Sequence, residues 1–247
     1  MKPFLILQLR PEDDAADDEF AAILRKSGLR ADQVKRVRLD QQALPEALDL
    51  TSFSGVIVGG GPGCISDPAD KKTPLEKRIE DAVMGLMPEI IARDTPFLGC
   101  CYGMGILGHH LRPGSVSKEQ YGEPVGAVAC QLTEAGRNDP LLEGLPESFN
   151  AFVGHKEAVQ ALPDGAVHLV ASGPCPVQMI RTGENVYATQ FHPEADGDGF
   201  ETRIRIYKDH GYFPPETADA LIDEVQSADV FAPERILANF VDRYRHG

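Results

Sequence analysis

The chain has 247 residues, 42% of them hydrophobic and 25% charged, which allows one large buried core or two small ones. Asp and Glu total 38 against 24 Lys and Arg, a formal charge of −14, and this balance argues against nucleic acid or an anionic membrane surface as the main partner. The opening apolar run is too short for a signal peptide, and no segment approaches the roughly 20 apolar residues of a spanning helix. Five cysteines (Cys64, Cys100, Cys101, Cys130 and Cys175) are odd in number and lack the spacing of a disulfide framework or a zinc site. Composition therefore points to a cytoplasmic protein with reduced thiols, without a metal or a cofactor.

The N-terminal half reads as strands alternating with helices. Residues 4–9 form an apolar strand, followed by an acidic run (Glu12, Asp13, Asp14, Asp17, Asp18, Glu19) suited to a solvated helix N-terminus. That helix carries Phe20, Ile23 and Leu24 and stops at Gly28. Val34 to Leu39 and Gly55 to Val58 read as further strands, the second running into a glycine cluster. Leu75 to Ile91 has the pattern of one helix, and Pro96 to Cys100 is a fourth strand. Such an order predicts an α/β fold with a mostly parallel sheet and helices on both faces. After about residue 113, short strands joined by Gly, Pro and Asp turns cover Val125–Leu132, Phe149–Val153, Val167–Ala171, Val177–Ile180 and Val186–Gln190. From residue 199 the pattern is helical again, ending in a stripe of Ile236, Leu237, Phe240, Val241 and Tyr244. No internal repeat or domain boundary is visible.

Three segments carry chemistry. Gly99-Cys100-Cys101-Tyr102-Gly103 stands between an apolar strand and a helical segment, as in a G-x-C-x-G nucleophile elbow. The middle residue, Cys101, would stand exposed at a helix N-terminus that favours its thiolate, while Cys100 points into the core. The alternative is a buried cysteine pair beside a tight turn. Gln190-Phe191-His192-Pro193-Glu194 closes a strand about 90 residues later; His192 can take a proton from a thiol, and Glu194 can orient the ring. Gly59-Gly60-Gly61-Pro62-Gly63 is neither a dinucleotide fingerprint nor a P-loop. It reads either as an oxyanion loop facing the amide of Tyr102 or as a plain strand-to-helix turn.

Together these segments resemble the class I, triad-type glutamine amidotransferases, especially the amidotransferase part of GMP synthase. The likeness spans roughly residues 50 to 195 and implies a flavodoxin-like sheet. It implies Cys101 as nucleophile, His192 as general base and acid, Glu194 as orienter, and the amides of Gly61 and Tyr102 as oxyanion hole. Gly154-His155-Lys156-Glu157 falls where that family has an S-H-x-D segment lining the glutamine pocket, so Gly63, Gly105, Gly154, His155 and Glu157 are expected at the substrate. The implied partners are glutamine or another γ-glutamyl amide and a separate synthase that accepts ammonia. A γ-glutamyl peptidase and a non-catalytic docking subunit are the other functions weighed.

The family usually has Gln four residues after the nucleophile, where this chain has Gly105; Ser becomes Gly154, and Asp becomes Glu157. A site missing a polar partner discriminates less between amides. The expectation is weak affinity for glutamine, improved by Gly105→Gln. The tail, residues 199–247, is similar to the extra helices of stand-alone, GMP-synthase-like amidotransferases and is expected to complete one domain spanning 1–247. Tyr212-Phe213-Pro214-Pro215 reads either as a pocket wall or docking surface, or as a simple loop.

Overall fold

A computed structural model describes residues 2–246. In chain order, β1 (Phe4–Gln8) leads into α1 (Asp13–Ser27), β2 (Val34–Arg38) and β3 (Gly55–Val58). Next come α2 (Pro74–Met84), α3 (Met87–Arg93), β4 (Phe97–Cys100) and α4 (Tyr102–Leu111). The middle of the chain holds β5 (Val116–Ser117), β6 (Glu123–Leu132), α5 (Glu134–Arg137), β7 (Ser148–His155), β8 (Ala158–Val159) and β9 (Val167–Ser172). Then follow β10 (Met179–Thr182), β11 (Val186–Thr189), α6 (Gly197–Tyr207), α7 (Ala218–Ser227) and α8 (Glu234–Tyr244).

The main sheet has the order β2-β1-β3-β4-β11-β10-β9-β6-β7. Neighbours are parallel from β2 to β11 and antiparallel from β11 to β7. Strands buried on both faces should be apolar at every position rather than alternating, and β1, β3 and β4 are buried throughout. Phe4 and Ile6 face one way into a core shared with Ile23 of α1 and Phe240 of α8. Leu5 and Leu7 face the other way, against Ile79 of α2 and Met104 of α4.

Two expectations change. The pattern over 75–91 is two helices, because Pro88 lacks an N–H and its ring excludes the carbonyl four residues back; α2 ends at Met84 and α3 begins at Met87. The acidic run is only partly a solvated cap. Asp13 and Asp14 lie in the first turn of α1, but Glu19 is fully buried. Of the tail, α8 packs into the main core through Ile236, Leu237, Phe240 and Val241, while Phe200 and Ile204 of α6 and Ile222 and Val225 of α7 form a smaller cluster with Val230 and Phe152 of β7.

Candidate active site

The parallel strands converge on one end of the sheet, where β4 and β11 lie side by side with Thr189 opposite Cys100. One residue on, Cys101 adopts φ 51°, ψ −94°, a backbone region that L-residues avoid. The turn is held by the Cys101 N–H, which donates to the Thr189 carbonyl at 2.7 Å. Gly99 is required by packing, since a Cβ there would stand 2.9 Å from the Gly103 carbonyl carbon; at Gly103 a Cβ would only touch Val58 at 3.5 Å. Cys100 points into the core beside α1 and α8.

His192 follows β11, with its N–H donating to the Phe152 carbonyl at 2.9 Å. Its Nδ1 lies 2.8 Å from Glu194 Oε1, which also lies 3.0 Å from Arg203 Nη2. The Nδ1–H is thus committed to the carboxylate, leaving Nε2 as the ring's proton acceptor. All three of these side chains are buried. Burial opposes the Glu194 charge, but His192 and Arg203 together hold its carboxyl well below the usual range. Burial also lowers the His192 pKa against the pull of Glu194. Cys101 is pushed up to about 12 by burial, with the Arg10 guanidinium pulling the other way. Both shifts favour a neutral thiol and a neutral imidazole at rest. Desolvation thus opposes the thiolate that a helix N-terminus favours.

Two small cavities meet at Cys101. The first, about 40 Å³, is bordered by Arg10, His192, Phe200, Tyr207, Tyr212 and Phe213. The second, about 20 Å³, is bordered by Gly63, Gly105, Gly154, His155, Glu157 and Tyr212, so the five positions expected at the substrate do come together. Gly61 and Cys101 border both. Neither the Gly61 N–H nor the Tyr102 N–H has an acceptor among the described residues, as an oxyanion hole requires.

The second cavity differs from the expectation in one respect. Glu157 accepts from Ile65 N–H at 2.8 Å, Ser66 N–H at 2.9 Å and Ser66 Oγ at 2.6 Å, so its carboxylate braces the loop after the glycines. Its Oε1 stands 3.0 Å from where a Cβ on Gly105 would be. The longer acid at 157 fills the space left by the missing side chain at 105, and Gly105→Gln is no longer expected to improve binding.

Sequence reasoning missed Arg10, Glu19 and Arg203. Glu19 accepts from Arg10 Nε at 2.8 Å and from the Gly60 N–H at 3.2 Å, tying the glycine loop to β1. Glu19 and Arg203 each occupy an apolar-face position of a helix, with Ala15, Ala16, Ala22 and Ile23 in α1 and with Phe200, Ile204 and Tyr207 in α6. A charge at an i, i+3, i+4 core position was the signal. Tyr212 resolves the alternatives for its segment: it walls both cavities and donates from Oη to the Pro62 carbonyl at 3.2 Å. Lys156 Nζ stands 4.0 Å from its ring centre and donates to the His210 carbonyl at 2.8 Å.

A second buried Cys-His-Glu group, Glu123, His155 and Cys175, brings its polar atoms within 4.8 Å of one another. Both His155 nitrogens are engaged, Nδ1 with the Glu157 carbonyl at 2.8 Å and Nε2 with Glu123 Oε2 at 2.7 Å. That ring has no free base for a thiol. A contact of 2.7 Å is also well short of the roughly 3.4 Å that separates two ligands of a tetrahedral ion at about 2.0–2.2 Å from each. Cys175 borders neither cavity, and the cluster reads as a structural polar knot.

The model of the family described as glutamine amidotransferase class-I matches residues 14–206. The chain belongs to this family. Among curated relatives, a GMP synthase [glutamine-hydrolyzing] of Thermosipho melanesiensis is 31% identical over 181 residues, covering 69% of this chain and 31% of that protein. One from Streptococcus pyogenes is 33% identical over 143 residues, covering 57% of this chain and 24% of that protein. The chain thus spans about a third or less of the curated relatives it matches. A glutamine amidotransferase structure from Thermotoga maritima aligns with TM-score 0.74 at 20% identity, covering 100% of both chains. A putative GMP synthase component from Thermoplasma acidophilum aligns with TM-score 0.64 at 20% identity, covering 100% of this chain and 97% of that one. At such identity these two structures speak for the fold. Among the described residues, no helix is long and apolar enough to cross a membrane.

Proposed function

We propose that the chain hydrolyses the side-chain amide of glutamine through a γ-glutamyl thioester on Cys101 and passes ammonia to a separate synthase. The observation that carries this is the elbow: Cys101 alone occupies the left-handed turn at the start of α4, bordering the same cavity as a His192 already bonded to Glu194. In this mechanism His192 Nε2 takes the thiol proton as Sγ attacks the amide carbon. Glu194 holds the ring and stabilises the imidazolium, as triad logic requires. The carbonyl oxygen gathers charge between the amides of Gly61 and Tyr102, each such donor being worth on the order of 10²–10³ in rate. His192 then returns the proton to the departing ammonia, and water enters to release glutamate. Gly63, Gly105, Gly154, His155 and Glu157 would line the glutamyl end.

The tail, residues 199–247, belongs in this proposal to the same domain, because Phe200 and Tyr207 border the first cavity. The five free cysteines fit a reducing, cytoplasmic setting. The test is trapping with a glutamine-like diazo ketone and mapping of the adduct. Modification of Cys101, lost in Cys101→Ala with the circular dichroism unchanged, is the expected result. An adduct on Cys100 or Cys175 would overturn the assignment.

A further inference from the structure

The two cavities that meet at Cys101 differ in one way that bears on substrate choice: His192 borders the first and is absent from the second. If Cys101 and His192 carry out the acyl transfer proposed above, the leaving amine must collect its proton from His192. It therefore departs into the first cavity.

That cavity is more elaborate than ammonia needs. Its walls include Val125, Phe200, Ile204 and Phe213, yet the Arg10 guanidinium is set among them. Arg10 Nε donates to Glu19 at 2.8 Å and Nη1 to Tyr207 Oη at 3.2 Å. Its Nη2 has no hydrogen-bond partner among the described residues, and it lies beside the imidazole. A Cβ built on Gly60 would stand 2.8 Å from Arg10 Nη2 and 2.7 Å from His192 Cε1. Arg203, which also borders the cavity, has Nε and Nη1 buried without partners. Buried N–H groups lacking acceptors are costly and rare, and those of Arg203 border the cavity that the leaving group enters. Glu19 balances the Arg10 charge but occupies only Nε, so Nη2 acts as a charge-assisted donor awaiting an acceptor.

We propose that the first cavity is a subsite for a carboxylate carried by the leaving amine, so that the chain cleaves γ-glutamyl amides of α-amino acids in addition to glutamine. Cys101 Sγ adds to the γ-carbonyl carbon while its proton passes to His192 Nε2. The C–N bond breaks, and the amino acid leaves with that proton, its carboxylate on Arg10 Nη2. Water then cleaves the thioester C–S bond, releasing glutamate and restoring the thiol. Run with an amino acid in place of water, the second half forms a new γ-glutamyl C–N bond and no glutamate.

The experiment compares kcat/KM of the full chain for γ-glutamylglycine and γ-glutamylmethylamide, which differ by that carboxylate, with glutamine as reference. The wild type should favour γ-glutamylglycine on the order of 10- to 100-fold, the size expected of one hydrogen bond to a charged group. Arg10→Met should bring the ratio to about one, with Arg10→Lys intermediate. Because Arg10→Met strands the buried Glu19 and threatens the fold, a wild-type measurement stands beside it. Adding glycine to a glutamine reaction should yield γ-glutamylglycine by mass spectrometry, and methylamine should give far less methylamide. Turnover of glutamine with no preference for the carboxylate in either assay overturns this inference alone. Absence of glutamate release from every amide, glutamine included, overturns the acyl-transfer proposal and this inference with it.

Discussion

Glycine at 105 and glutamate at 157 form one spatial unit, and Gly105→Gln is its most informative perturbation. The new Cβ would stand 3.0 Å from Glu157 Oε1 and 3.4 Å from Ile65 Cγ2, and the rest of the side chain would have to enter a cavity of about 20 Å³. Glu157 then has to retreat from Ile65 N–H, Ser66 N–H and Ser66 Oγ. Bonds to a charged acceptor contribute about 1.5–3 kcal/mol each. Losing one or two should lower stability by roughly 1.5–6 kcal/mol and loosen the loop carrying Gly61, raising KM. Glu157→Asp withdraws the carboxylate by one methylene and frees the contested space, so the double variant should be more stable than the two single losses predict. The coupling should be at least about 1.5 kcal/mol, within the usual range for residues in contact. The chain has no tryptophan, so urea unfolding of the four proteins is best followed by far-ultraviolet circular dichroism. Additivity within about 0.5 kcal/mol, or a Gly105→Gln protein of full stability and lower KM, would refute the reasoning.

Three further outcomes are expected. His192 has a folded-state pKa below its ordinary value; its contribution to stability is full above the unfolded value of about 6.5 and is lost as pH falls. The carboxyl of Glu194, also held low, acts in the same direction below about pH 4.3. The kcat/KM profile should have an acid limb below about pH 6.5, and a limb centred above that value would contradict a neutral resting imidazole. Arg203→Met removes a positive charge that holds His192 down, so the acid limb should move to higher pH while kcat falls as Glu194 loses its second anchor; an unmoved limb would show that Arg203 does not act on the pair. Tyr212→Ala removes a hydrogen bond and a cation–π contact, about 1–2.5 kcal/mol together. Alkylation of Cys101 by iodoacetamide should accelerate roughly 5- to 70-fold, and an unchanged rate would mean that Tyr212 does not limit access.

The sheet, the elbow and the His192 turn are legible in the sequence because each is local. Strands such as Leu5-Ile6-Leu7 declare themselves by apolar runs, and Gly99 to Gly103 by a spacing that only a tight turn needs. Glu157 at Gly105 is not legible, since the two are far apart in the chain and each substitution alone looks like a loss. Arg10 and Glu19 look like surface residues because charges usually are, although Glu19 stands on the apolar stripe of α1. Tyr212 stays ambiguous in sequence because its position depends on how a turn after α6 folds back over the glycine loop.

The position of β11 has a consequence for how the molecule is made. It lies in the sheet between β4 and β10, so the two halves of the sheet meet only across a strand that begins at residue 186. While a ribosome is still extending the chain, the edge of β4 stays open and the elbow lacks the Thr189 carbonyl that holds its turn until β11 arrives. Long-range insertion of this kind is slow and leaves an edge exposed. The same insertion carries His192 to the thiol. In the proposed mechanism, closing the sheet and bringing a proton acceptor to Cys101 therefore depend on the same strand.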